Sequence, residues 1–180
     1  MKNLLLIIFC LLVSSCSLQS QLKIESTSII PQLDLTCQPI PNNNFQICSL
    51  ETLSEYGPFD DVVFYKRDQE GYLTLLSSQK SYGQTFGSIE FSEKGKYLYL
   101  SWAEEGHPQF HFYLTSKFLE SGLSSDLVGF LEDYYLVYIK SFSDDGQLIY
   151  LADKQTNSHC RKTIIEEDFS YCLISIKVID

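Results

Sequence analysis

Four pairs of adjacent acids, Asp60-Asp61, Glu104-Glu105, Asp144-Asp145 and Glu166-Glu167, are the groups in this sequence best suited to hydrolysis. Glycoside hydrolases set two carboxylates across a sugar ring, one as general acid and one as base or nucleophile, so paired acids point first to that reaction. All four pairs fall in segments that read as turns, where Asp and Glu are ordinary solvated residues, and the expectation is therefore a chain that is not an enzyme. His107 and His111 would share one face of a strand, and with Glu104 or Glu105 beside them they have the makings of a divalent-metal site. His107 precedes Pro108 in a turn, however, and His159 adjoins Cys160 on a hairpin, so both read as surface histidines and no metal or cofactor is expected. A nucleophilic serine would need a strained Gly-x-Ser-x-Gly elbow, which is absent, and Gly87-Ser88 opens a strand instead. Asp144-Asp145-Gly146 lacks the ligand spacing of a calcium loop, and no phosphate-cradling or dinucleotide glycine motif occurs.

The elements that would carry these groups are strands. From Thr36 onward short runs of β-branched and aromatic residues alternate with Gly, Asp, Asn and Pro clusters, which is the all-β signature. Strands are expected over 62–66, 72–77, 85–91, 96–102, 109–115, 134–142, 147–152, 160–165 and 171–179. The one break in this rhythm is 116–133, where a Ser125 cap predicts a short helix over 125–132, against the pull of Gly122 and Gly129.

Two stretches repeat. Ile89-Glu90-Phe91-Ser92-Glu93-Lys94-Gly95-Lys96-Tyr97-Leu98-Tyr99-Leu100 returns as Lys140-Ser141-Phe142-Ser143-Asp144-Asp145-Gly146-Gln147-Leu148-Ile149-Tyr150-Leu151, with a fainter copy at Phe64-Tyr65-Lys66-Arg67-Asp68-Gln69-Glu70-Gly71-Tyr72-Leu73. Each reads as strand, tight polar turn and strand, with a glycine free to take positive φ. The pattern resembles the TolB-type β-propeller repeat, in which Phe-Ser-Pro-Asp-Gly-Lys precedes a strand, a Gly-x-Pro turn and an aromatic strand; residues 101–113 continue the first copy in that manner. Glu93 and Asp144 stand where that family has proline. The resemblance implies open or partial propeller-like repeats, since the length holds only about three or four blades, and a β-sandwich built from the same hairpins is the alternative.

The beginning of the chain carries an address. Lys2, an apolar run over 4–13 too short for ~30 Å of hydrocarbon, and small residues before Cys16 describe a secretory signal. With Leu12-Val13-Ser14-Ser15-Cys16 it resembles a bacterial lipoprotein signal, which implies cleavage after residue 15, lipidation of Cys16 and retention on a membrane by its acyl chains. Ser17 resembles the outer-membrane sorting pattern, so the expected location is the cell envelope, at the outer membrane facing the periplasm. Residues 16–35, rich in Ser and Gln, read as a tether to a binding domain over 36–180. Export fits the cysteines. Cys37, Cys48, Cys160 and Cys172 remain after the signal and the lipidation site are set aside; they permit three pairings, of which Cys37 with Cys48 and Cys160 with Cys172 would each staple one turn. A four-thiolate metal site is the competing use, but no Cys-x-x-Cys spacing occurs.

Thirteen basic and 23 acidic side chains give a net charge of -10, and removal of 1–15 takes away Lys2 and no acid. That balance repels nucleic acid and suits a basic protein partner or plain solubility, so membrane contact is expected through the lipid alone. Twelve Tyr and twelve Phe, many alternating along strands, supply both core and contact area. The expected contact residues are Tyr97, Tyr99, Trp102, Glu104 and Glu105, near one end of the better repeat. The reading is a non-catalytic, membrane-anchored binding module: an inhibitor or immunity protein for a periplasmic toxin or hydrolase, with a TolB-like accessory of outer-membrane assembly, or a glycoside hydrolase, as alternatives.

Overall fold

The computed structural model describes residues 34–53, 60–80, 84–104, 106–133, 135–153, 160, 162–166 and 169–179. The signal, Cys16, nearly all of the tether, Glu105 and His159 lie outside them. The described chain is all-β, with twelve strands in three four-stranded antiparallel sheets and no closed barrel among the described residues. The first sheet is a meander of β1 (Thr36–Pro39), β2 (Gln46–Leu53), β3 (Asp60–Arg67) and β4 (Leu73–Gln79). The second is a meander of β5 (Gln84–Phe91), β6 (Tyr97–Glu104), β7 (His107–Leu114) and β8 (Leu127–Glu132). The third comprises β9 (Leu136–Phe142), β10 (Gln147–Asp153), β11 (Thr163–Glu166) and β12 (Phe169–Lys177), with β12 beside β10 and β11 on the outer edge.

Residues 115–132 correct the sequence reading. The helix, α1 (Thr115–Ser121), comes first and runs into a 3-10 turn, and the segment expected to be helical is strand β8. Gly129 explains the swap: it pairs with Phe112 of β7, and a Cβ built on it would overlap the carbonyl oxygen of Val178. The position is a close backbone approach, for which glycine is the natural residue, and not a helix interior.

The repeated turns close alike. The amide of Gly95 donates to the Ser92 carbonyl at 2.9 Å, that of Gly146 to Ser143 at 3.1 Å, and that of Gly71 to Asp68 at 3.2 Å. All three glycines have positive φ, between 79° and 88°. In each turn the first polar side chain accepts from a following backbone amide: Ser92 from Tyr97 at 3.0 Å, Ser143 from Gln147 at 3.1 Å, Asp68 from Tyr72 at 2.8 Å. Local chemistry therefore builds the hairpins before any long-range packing is asked for.

The second sheet lies between the other two cores. On one face Leu98, Leu100 and Trp102 of β6 pack with Phe86 and Ile89 of β5, Val62 and Phe64 of β3, and Phe118 of α1. On the other, Tyr97 and Tyr99 pack with Phe110 and Phe112 of β7 and with Phe142, Leu148 and Tyr150 of the third sheet. Strand β6 is thus apolar on both faces and reads as a near-continuous hydrophobic run. Edge-to-face rings dominate the first core, such as Phe64 on Phe86 at 5.5 Å, and the second mixes them, as in Phe112 on Phe142 at 5.2 Å, with tilted pairs such as Tyr99 on Phe112.

Both disulfides join the cysteines that bracket one turn. Cys37 pairs with Cys48 across β1 and β2, and Cys160 with Cys172 at the β12 end of the third sheet. Bridges of this kind are at home in an oxidising compartment.

Candidate functional site

Of the five expected contact residues, the four that are described do not share one face of β6. Tyr97 and Tyr99 are 9 % and 7 % exposed and face the third sheet, while Trp102 is 2 % exposed and faces the first. Burial on both sides of β6 withdraws Tyr97, and leaves of Tyr99 and Trp102 only the small part that lines a cleft between the second and third sheets. Glu104 is exposed but lies at the strand end, where its carboxylate accepts from Gln109 at 3.0 Å and Gln84 at 3.4 Å. The alternation that had suggested a core face and a contact face was sound, but the second face is a second core.

The histidines do not converge on a metal site. His107 lies opposite Glu104 in the β6–β7 register, whereas the His111 ring lies between Trp102 at 6.3 Å and Phe130 at 5.3 Å. Burial among those rings holds its pKa below the ordinary histidine value. Among the described residues, no group of three or more His, Cys, Asp or Glu is placed to hold a metal ion. Asp144 and Asp145 serve the turns: the Asp145 carboxylate accepts from Ser143, and Asp144 reaches the neighbouring sheet.

Asp144 joins the second and third sheets. Its carboxylate accepts from the Ser92 hydroxyl at 2.6 Å, the Lys94 amide at 2.9 Å and the Lys96 amide at 3.2 Å, so one side chain on the third sheet fills the donors of the equivalent turn on the second. The Glu93 amide donates to the Phe142 carbonyl at 3.2 Å alongside it. Partial burial alone would raise the Asp144 pKa; the Ser92 hydroxyl, the Lys96 and Lys94 amides and the Lys94 charge outweigh that and hold it below the usual carboxylate range.

Away from that clasp the two sheets part. The β8 side is shut, because the backbone of Val178 runs against Gly129 and Ile179 joins the core. The β5 and β9 side stays open as a cleft, made of adjoining cavities of about 540 and 270 Å³ that share Tyr99 and Ile139. Thr85–Ser88 and Leu136–Ile139 flank the wider end, and Glu90, Phe91 and 139–142 the end near the clasp. Tyr99 and Phe110 contribute to the lining, and the hydroxyls of Ser88 and Ser101, 3.0 Å apart, are its polar spot. Val137 and Tyr138 on its rim are 48 % and 40 % exposed, and Tyr135 just before them is 45 % exposed.

Few charges stand near the cleft. Glu90 lies at its narrow end, close enough to Tyr99 to act with burial in pushing the phenol pKa up. Lys140 lines the same end, its ammonium 5.9 Å from the centre of the Tyr138 ring. Asp133 precedes the wide end, accepting from the Tyr150 hydroxyl at 2.8 Å and the Tyr135 amide at 2.9 Å. Sequence reading missed this site, because the feature that marks it, adjacent Val137 and Tyr138 both exposed on one strand, appears only in the folded chain.

No described helix is long and apolar enough to cross a membrane. Comparison with known proteins finds no matching family model, no similar curated protein and no similar solved structure.

Proposed function

We propose that this chain is a lipid-anchored protein of the bacterial cell envelope that acts by binding another protein and not by catalysis. The observation that carries the reading is the cleft between β5 and β9, apolar along its wider part, with exposed Val137 and Tyr138 on its rim. Exposed aromatic and β-branched groups beside a concavity supply rigid contact area at low entropic cost. In the fuller reading Cys16 carries the acyl chains, residues 16–35 hold the domain off the outer membrane, and the partner is a periplasmic toxin or hydrolase occluded as an inhibitor or immunity protein occludes it. A second reading, an accessory of outer-membrane assembly, draws support from the like closure of the turns at Asp68, Ser92 and Ser143, the feature that resembles TolB-type repeats.

The test uses the full-length chain in living cells. Palmitate labelling should mark it and should vanish in Cys16→Ala. A photo-crosslinking amino acid at position 137 should trap a protein, and the same group at Tyr72, 72 % exposed on the first sheet, serves as the second position. A toxin or hydrolase among the trapped proteins supports inhibition, and an assembly factor supports the accessory role. No crosslinked protein from either position overturns the binding reading.

A further inference from the structure

We infer that the β5–β9 cleft receives an extended, cationic segment of the partner protein, seating its apolar side chains on Tyr99, Phe110 and Ile139. The inference rests on the binding reading above and names the chemistry that the site selects.

Shape is the first argument. The cleft follows β9 from Leu136 to Phe142, and at the Phe142 end the Asp144 carboxylate and the Glu93 amide tie the two sheets. Its β9 wall from Leu136 to Ser141 is about 17 Å long at ~3.3 Å per residue, which matches five or so residues of an extended chain. A compact surface would touch only the rim. The walls themselves resist strand pairing, since β5 carries a bulge at Gly87 and β9 carries two register shifts against β10. Bulged edges are poor templates for another strand, so the occupant is held by side chains in the cavity more than by backbone hydrogen bonds.

Charge is the second argument. Only Glu90 and Lys140 are charged in the lining, and the Lys140 ammonium leans over the Tyr138 ring. Asp133 stands three positions before Leu136, the first lining residue of β9, and the whole chain carries -10. A second copy of this chain would bring the same negative charge to the rim, within the ~8 Å over which charges act at physiological salt. A cationic segment meets attraction instead, both at long range and at Asp133.

The experiment displays a random peptide library on phage and selects it on the full-length protein in detergent. Enriched peptides should carry Lys or Arg flanking alternating apolar residues. Their retention should fall about tenfold on Val137→Lys, and Glu90→Lys should weaken them as well. Acidic or uncharged enriched peptides, or equal retention on Val137→Lys, would overturn the inference, as would a dimer of the protein that Val137→Lys dissolves. The two readings fail separately: a protein trapped through position 72 alone, and not displaced by the selected peptides, leaves the binding function standing and removes the cleft from it.

Discussion

At the scale of single residues, Asp144 has the clearest work. It sits in a turn that sequence reading treats as solvated, and it spends its carboxylate on three donors of the adjacent sheet. Asp144→Asn keeps the size but gives up charge-assisted bonds, and the expected cost is about 1–3 kcal/mol in urea unfolding at pH 7. The pH dependence follows from the lowered folded pKa. The unfolded carboxylate titrates near 3.9, so its contribution is fully present above that value and is lost as pH falls through the lower folded value. Stability of the native chain should therefore drop more steeply below about pH 4 than that of Asp144→Asn. Trp102, the one tryptophan and a buried one, reports the transition by its fluorescence. Parallel pH profiles for the two proteins would remove Asp144 from the clasp.

At the scale of elements, glycine positions and disulfides decide what the strands can do. Gly129→Ala places a methyl group on the Val178 carbonyl, which must move β8 or the C-terminal segment aside, and a loss of about 1–3 kcal/mol is expected. If the thermal midpoint of Gly129→Ala equals that of the native chain, β8 and Val178 are not packed as described. The Cys37–Cys48 bridge closes a short loop of sequence separation 11, so replacing both cysteines by serine should cost about 2–3 kcal/mol. Differential scanning calorimetry of the double variant checks the size, and an unchanged midpoint would mean that the β1–β2 hairpin needs no staple.

At the scale of the whole molecule, β6 couples the two cores because its alternate residues enter both. Phe64→Ala and Phe112→Ala remove rings from opposite faces of the second sheet, and each should cost about 3–5 kcal/mol. The informative measurement is Trp102 fluorescence on Phe112→Ala, since Trp102 belongs to the first core and Phe112 to the second. Its urea midpoint should fall together with that seen by circular dichroism. An unmoved Trp102 midpoint would mean that the third sheet unfolds by itself. The same stacking explains the cleft. The third sheet is held to the second at the Asp144 clasp and along β8, which leaves the cleft along β5 and β9.

Much of this was legible along the chain. The strand class, the three glycine turns and the pairing Cys37 to Cys48 and Cys160 to Cys172 depend on residues a few positions apart, and short-range chemistry announces itself in order. The helix at Thr115–Ser121 was misplaced because Gly129 answers to Val178, far away in sequence. The burial of Tyr97 and Tyr99 was hidden for a related reason. A period of two says that Tyr97 and Tyr99 share a face, and nothing in that period says whether another sheet will cover it. Which aromatic groups end as core and which line an open cleft is settled only when three sheets meet, because burial belongs to the partner surface as much as to the strand.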